Sequence, residues 1–259
     1  MDGYNLTWPR RVPEEMTKMT LADEIAGWIC GEVQGAGLSG AVVGLSGGID
    51  SAVASGLCAR AVGPDNVLGI AIPVHSSPED LQDARLAADT WGIEYREVDL
   101  GRIYDAFIEL LPDGSQLADA NLKPRLRMIA LYHHANTLGR MVVGTGNRSE
   151  LEVGYYTKYG DGGVDLLPLG SLRKVEVREL AHEIGVPERI IERPPSAGLW
   201  EGQTDESELG LTYEQLDGAI EAIDDGDTSQ IDPTVLNRVT ALHRGSEHKR
   251  KLPPVFTRS

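Results

Sequence analysis

The sequence predicts an α/β fold: a parallel sheet covered by helices on both faces, with extra helices toward the C-terminus. Two observations predict it. Short apolar runs of strand length alternate with longer segments of helical periodicity. The first of these runs, Ala41–Leu45, leads through a Ser-Gly-Gly turn straight into a helix start, as a strand–loop–helix unit of a parallel sheet does. At 259 residues the chain suffices for one such unit, so a single domain over residues 1–259 is expected.

Each element follows in order. Asp2–Pro13 read as an irregular arm, and Leu21–Gln34 carry Leu21, Ile25, Trp28, Ile29 and Val33 as a helical stripe that Gly35–Gly40 interrupts. Ala41–Leu45 suits a strand buried on both faces, and Ala52–Ala61 a helix. Val67–Val74 is the second strand, closed by Pro73. Pro78–Trp91 is a helix with Ser77 as its cap and Pro78 in its first position. Ile93–Val98 is a half-polar third strand, and Arg102–Leu111 is helical up to a Pro-Asp-Gly turn. Asn121–Leu138 forms a longer helix with Pro124 tolerated in its first turn, and Met141–Gly144 the fourth strand. Tyr155–Leu169 lacks periodicity, Leu172–Ile184 returns to helix, and Arg193–Gly210 reads as a mobile loop. Two helices, Tyr213–Ile223 and Pro233–His243, close the fold around an acidic turn. In such sheets ligands gather beyond the carboxyl ends of the strands, so the turns after Leu45, Val74 and Gly144 should share one crevice.

The turn after Leu45 is suited to an anion. A strand, a tight turn and a helix start aim unpaired N–H groups and the positive end of a helix dipole at one point. Gly47 and Gly48 let the backbone come close, and the hydroxyls of Ser46 and Ser51 can add donors. Asp50 stands where the common nucleotide loop has lysine. A carboxylate beside a polyphosphate implies a metal ion between them.

Composition narrows the partners. A net charge of −16 argues against a nucleic-acid surface, which would need Lys and Arg to neutralise phosphates. No apolar run approaches membrane-spanning length and the N-terminus lacks a signal-peptide pattern, so a cytoplasmic protein without membrane contact is expected. Cys30 and Cys58 are isolated and read as inert thiols. Forty aspartates and glutamates spread along the chain fit either a salt-rich cytoplasm or an ordinary acidic enzyme. The run Glu247–Lys251 is the one basic cluster, and its contrast with the whole chain favours a clamp for an anionic ligand.

The loop Ser46-Gly47-Gly48-Ile49-Asp50-Ser51 resembles that of the ATP pyrophosphatase superfamily. Three further stretches, Gly144–Glu150, Thr157–Leu169 and Glu247–Arg250, make the chain resemble the NAD synthetases from about Leu21 to its tail. The resemblance implies a Rossmann-like sheet of the adenine nucleotide alpha hydrolase kind. It also implies amidation of deamido-NAD by ammonia, with ATP split to AMP and pyrophosphate through an acyl adenylate. By the same resemblance Gly44, Leu45, Ser46, Gly47, Gly48, Ile49, Asp50 and Ser51, with Thr145, Lys174 and Ser196, bind ATP. Asp50 and Glu150 hold Mg²⁺, and Lys174 meets transition-state charge. Arg125, Lys158, Asp165, His248 and Lys249 match the contacts to the dinucleotide, and Asp165 is the candidate base for ammonium. Pro124, where the family has a small residue, and the variable loop at Ser196 depart from the pattern. A homodimer whose site straddles the interface is implied as well.

Overall fold

The computed structural model describes residues 19–200 and 202–258, so the expected arm at Asp2–Pro13 lies outside the described residues. Four parallel strands run β1 (Ala41–Gly44), β2 (Val67–Ala71), β3 (Glu94–Glu97) and β4 (Met141–Val143), in the spatial order β3-β2-β1-β4. Ala41, Val42 and Val43 pair with Val67, Leu68 and Gly69 on one side and with Met141, Val142 and Val143 on the other. The central strands are buried on both faces, as continuous apolar runs require, whereas β3 is mostly exposed because it is a polar edge. The opposite edge is covered by Asp165 and Leu166, which reach the Val142 carbonyl and the Gly144 N–H.

Alternation along the strands sorts two cores. Ala41, Val43, Val67 and Ala71 pack with α1 (Leu21–Gly35), α2 (Ile49–Val62) and α3 (Pro78–Trp91). Val42, Leu68, Ile70 and Val142 face the other way, toward Ala135 on α6. Helix α6 spans Leu122–Leu138, with Pro124 in its first turn as expected, and follows α4 (Gly101–Leu110) and α5 (Gln116–Ala120).

Beyond β4 come α7 (Arg148–Val153), α8 (Lys174–Ile184), α9 (Glu188–Ile191) and α10 (Asp205–Leu209). The chain ends in α11 (Tyr213–Asp225), α12 (Pro233–Gly245) and the short α13 (Glu247–Arg250). Leu209, Tyr213, Leu216, Ile220, Val235 and Val239 form a separate core cluster that also takes Val153 of α7. Helix α10 corrects the expectation of a loop throughout Arg193–Gly210: Thr204 caps it by accepting from the Ser207 N–H, and Leu209 is buried.

Candidate active site

The carboxyl ends of β1, β2 and β4 open into one cleft of about 1300 Å³, lined among others by Ser46, Pro73, Thr145, Ser196 and Lys249. The expected crevice is therefore real, and its floor is the loop after β1. Helix α2 begins at Gly48 with no side-chain cap, so its first N–H groups are free to face a ligand. Gly44, Leu45, Ser46, Gly48, Ile49 and Asp50 all line the cleft.

Gly47 and Ser51 do not line it, and they correct the simple picture of the loop. Gly47 has φ +83°, and a Cβ there would lie 2.5 Å from the Asp80 carbonyl oxygen, so glycine is required by the close approach of α3. Ser51 is buried and braces the turn: its hydroxyl donates to the Gly48 carbonyl at 2.9 Å and accepts the Ser46 N–H at 3.3 Å. These two residues shape the loop, and Ser46 and Gly48 present it.

Three elements converge on Asp50. Asp50 sits in the first turn of α2, Glu150 in the first turn of α7, and Lys174 opens α8. The Lys174 ammonium, 3 % exposed, lies 2.5 Å from Asp50 Oδ2 and 3.6 Å from Glu150 Oε1. Burial works against its charge, but Asp50 and then Glu150 outweigh burial and hold the ammonium above the ordinary lysine range. Burial, and then the neighbouring Asp50, push the Glu150 carboxyl up to about 8, with Lys174 pulling the other way.

Two carboxylates side by side offer the oxygen ligands that suit a hard divalent ion. Among the described residues no three His, Cys, Asp or Glu side chains are grouped as a self-sufficient metal site. A pair of carboxylates fits Mg²⁺ nonetheless, because that ion keeps several waters and is commonly held by one or two carboxylates plus substrate phosphates.

Two residues here escaped the sequence reading. Asn147 is fully buried and caps α7, accepting the Glu150 N–H at 3.1 Å, while its amide donates to Asp50 Oδ1 at 2.9 Å. The Asn-x-x-Glu spacing is a capping signature and could have revealed it. Asp205 lines the cleft near Lys174, buried, and accepts the Tyr213 hydroxyl at 3.0 Å. Burial raises its carboxyl above the usual range. Thr204 before a run of acids was the available signal for its helix.

The remaining expected residues divide. Thr145, Ser196 and Lys249 line the cleft, the Ser196 hydroxyl being bonded to the Gln203 carbonyl at 2.8 Å. Arg125, Lys158 and His248 gather outside it: Arg125 reaches the Lys158 carbonyl, and Lys158 donates to the His248 carbonyl. Asp165 is held apart. Its two oxygens take the Tyr132 hydroxyl and the Val142 N–H, and it lines a smaller cavity beside Leu38, Gly139 and Met141, at the starting ends of β1 and β4. Within one chain it does not share the cleft with Asp50.

Much of the basic tail is engaged within the chain. Arg250 donates to the carbonyls of Leu151 and Glu152, Lys251 pairs with Glu247, and Lys249 donates to the carbonyls of Gly154 and Tyr156 at 2.7 Å each. The tail lies so close that a Cβ on Gly154 would come within 2.1 Å of Ser246 Cβ. Arg250 and Lys249 thus pin the chain end to α7 and the loop after it, and of the tail cations only Lys249 reaches the cleft.

The chain is similar to known proteins over most of its length. The family model of NAD synthase matches residues 21–253. The NH(3)-dependent NAD(+) synthetase of Archaeoglobus fulgidus is 48 % identical, over 91 % of this chain and 95 % of that one. Among solved structures, NMN synthetase from Francisella tularensis superposes with a TM-score of 0.84 at 37 % identity, covering 91 % of this chain and 96 % of the other. The NH3-dependent NAD synthetase from Campylobacter jejuni gives 0.80 at 29 % identity, covering 92 % and 98 %.

Proposed function

The chain belongs to the NAD synthase family, and from that premise we propose that it amidates deamido-NAD with ammonia, forming NAD, AMP and pyrophosphate from ATP. It is a ligase that makes a C–N bond. The observation that carries the reading at this site is the meeting of Asp50, Glu150 and Lys174, from three separate elements, beside the uncapped start of α2 in the main cleft.

The residues fit the chemistry. A carboxylate is a poor electrophile, so its oxygen first attacks the α-phosphate of ATP, giving an acyl adenylate and releasing pyrophosphate; ammonia then displaces AMP. Free N–H groups at the start of α2, with the Ser46 hydroxyl, bind the phosphates. Asp50 and Glu150 would hold Mg²⁺, which supplies charge neutralisation for the phosphate oxygens. Lys174, charged and buried, offers a fixed cation to the charge that develops on transfer. Thr145 and Ser196 face the same cleft and complete the nucleotide site.

Arg125, Lys158, His248 and Lys249 form one basic group that suits a pyrophosphate, and we assign them to the dinucleotide. Most of this group lies outside the cleft of its own chain, which supports a homodimer sharing sites. Ile103 and Phe107 on α4, and Ile129 on α6, are exposed on two helices that pack together, an apolar face suited to a second copy. A cytoplasmic location is part of the same proposal; no helix among the described residues is long and apolar enough to cross a membrane.

The structural likeness to an NMN synthetase makes a mononucleotide the alternative acceptor. Pyrophosphate release by the purified protein with ATP, Mg²⁺ and ammonium decides between them. Release is expected to depend on deamido-NAD and to be much slower with the nicotinate mononucleotide. Asp50→Asn and Glu150→Gln should each abolish it while weakening ATP binding less. Release independent of either acceptor, or undiminished in both variants, would refute the reading.

A further inference from the structure

We propose that Asn147 is the positioning residue of the cation site: its side-chain amide ties the Asp50 carboxylate to the start of α7, the helix that carries Glu150. The inference rests on the reading that these two carboxylates bind Mg²⁺.

Asp50 and Glu150 are 100 residues apart in sequence and repel each other. They stand on two different helices, so their relative placement depends on contacts between α2 and α7. Lys174 offsets the charge, but an ammonium is a point charge and fixes no plane for a carboxylate. Asn147 does impose a direction. Its amide oxygen accepts the Glu150 N–H at 3.1 Å, its backbone N–H donates to Glu150 Oε2 at 3.2 Å, and its amide nitrogen donates to Asp50 Oδ1 at 2.9 Å.

The two ends of the amide thus do different work, and few side chains can do both. An aspartate would keep the cap on α7 but has no hydrogen to donate and would add a third negative charge. A serine would also keep the cap but is too short to reach across to α2. Asn147 is 0 % exposed, so its orientation is set by these bonds and by packing rather than by solvent. The oxygens it occupies, Asp50 Oδ1 and Glu150 Oε2, leave Asp50 Oδ2 and Glu150 Oε1 turned toward a common cation, the Lys174 ammonium. Outer partners that orient metal-binding carboxylates typically contribute roughly 10- to 100-fold in metal affinity.

The test uses Mn²⁺ as the probe ion, titrated by calorimetry or by its paramagnetic resonance into full-length protein with a non-hydrolysable ATP analogue. Thermal unfolding is recorded alongside, so that binding is read apart from turnover. Asn147→Ser should retain the α7 cap and melt close to the parent, yet bind Mn²⁺ about 10-fold more weakly or worse. Asn147→Asp, read by the same titration, serves if the serine variant does not fold. In the Asp50→Asn background, Asn147→Ser should add little further loss, because the two act through one bond. Unchanged Mn²⁺ affinity in a folded Asn147 variant, with Asp50→Asn weakened, would overturn the role of Asn147 alone. Full additivity of the two changes would overturn it too. Unchanged affinity in Asp50→Asn itself would bring down the cation reading and this inference with it.

Discussion

At the scale of single residues, the site is a balance of three buried charges. Lys174 stands between Asp50 and Glu150, and without it the carboxylates would be two like charges in a place that penalises either. The cost shows on Glu150, whose carboxyl is pushed up to about 8 by burial first and then by Asp50. The sign of its effect on stability follows. The unfolded chain releases this proton near the ordinary 4.5, whereas the folded protein keeps it to about 8, so the folded state binds more protons in between. Stability contributed by Glu150 is therefore fully present below the unfolded value and lost as pH rises through the folded one. Cation-free protein is expected to lose stability relative to Glu150→Gln between about pH 5 and about pH 8. Thermal melts of the two proteins across that range check it; a constant difference would show that Glu150 ionises normally.

At the scale of elements, two helix starts are tied to a third helix by one side chain. Asp217 of α11 is buried, accepts the Ser149 hydroxyl, and accepts the Val175 N–H at 3.0 Å, while Ser149 accepts the Lys174 N–H at 3.0 Å. The helices carrying Glu150 and Lys174 are thereby held against α11. Asp217→Asn leaves one of these donors facing an amide N–H₂, at a cost of about 2 kcal/mol. It should lower the melting temperature and slow adenylation in single-turnover assays; unchanged values for both would deny the tie.

The same elements show what the sequence made legible. Strand runs, the Ser77 cap and the Pro124 start of α6 were readable because their signals are local. The Ser-Gly-Gly turn pointed to an anion site for the same reason. Asn147 was readable only as a cap, and Asp205 and Asp217 not as site residues, because the contacts that matter, such as Asn147 to Asp50 and Asp217 to Val175, join groups distant in sequence. The hydrogen-bond partners of Asp165 and of the basic tail were not readable either, for the same reason: only the fold shows the Asp165 oxygens taken by Tyr132 and Val142, and Arg250 turned onto backbone carbonyls.

At the scale of the whole molecule, charge and assembly set the behaviour. With forty acids against 24 lysines and arginines, the excess acids repel one another across the surface, and 1 M salt screens that repulsion beyond about 3 Å. If the composition reflects a salt-rich cytoplasm, the unfolding midpoint should rise with molar KCl; a flat or falling midpoint would make it an ordinary acidic surface.

Assembly decides how Arg125 can serve a reaction at Asp50. Arg125 is exposed and absent from the cleft lining, while Asp50 lies on the cleft floor, so a shared site needs the arginine of one protomer beside the aspartate of its partner. Mixed dimers of Arg125→Ala with Asp50→Asn separate the possibilities. In a shared-site dimer, one site collects both defects and the other is wild type, so mixing two inactive parents should restore activity. With random subunit exchange about half the dimers are mixed and each has one working site, so recovery approaches about a quarter of the wild-type rate. If each protomer used its own Arg125, both sites of every mixed dimer would carry one defect and mixing would restore nothing. Exchange is verified with differently tagged subunits, so that a null result counts against the shared site. Pro124 enters here as well: a proline that turned Arg125 away from the partner would give that second outcome.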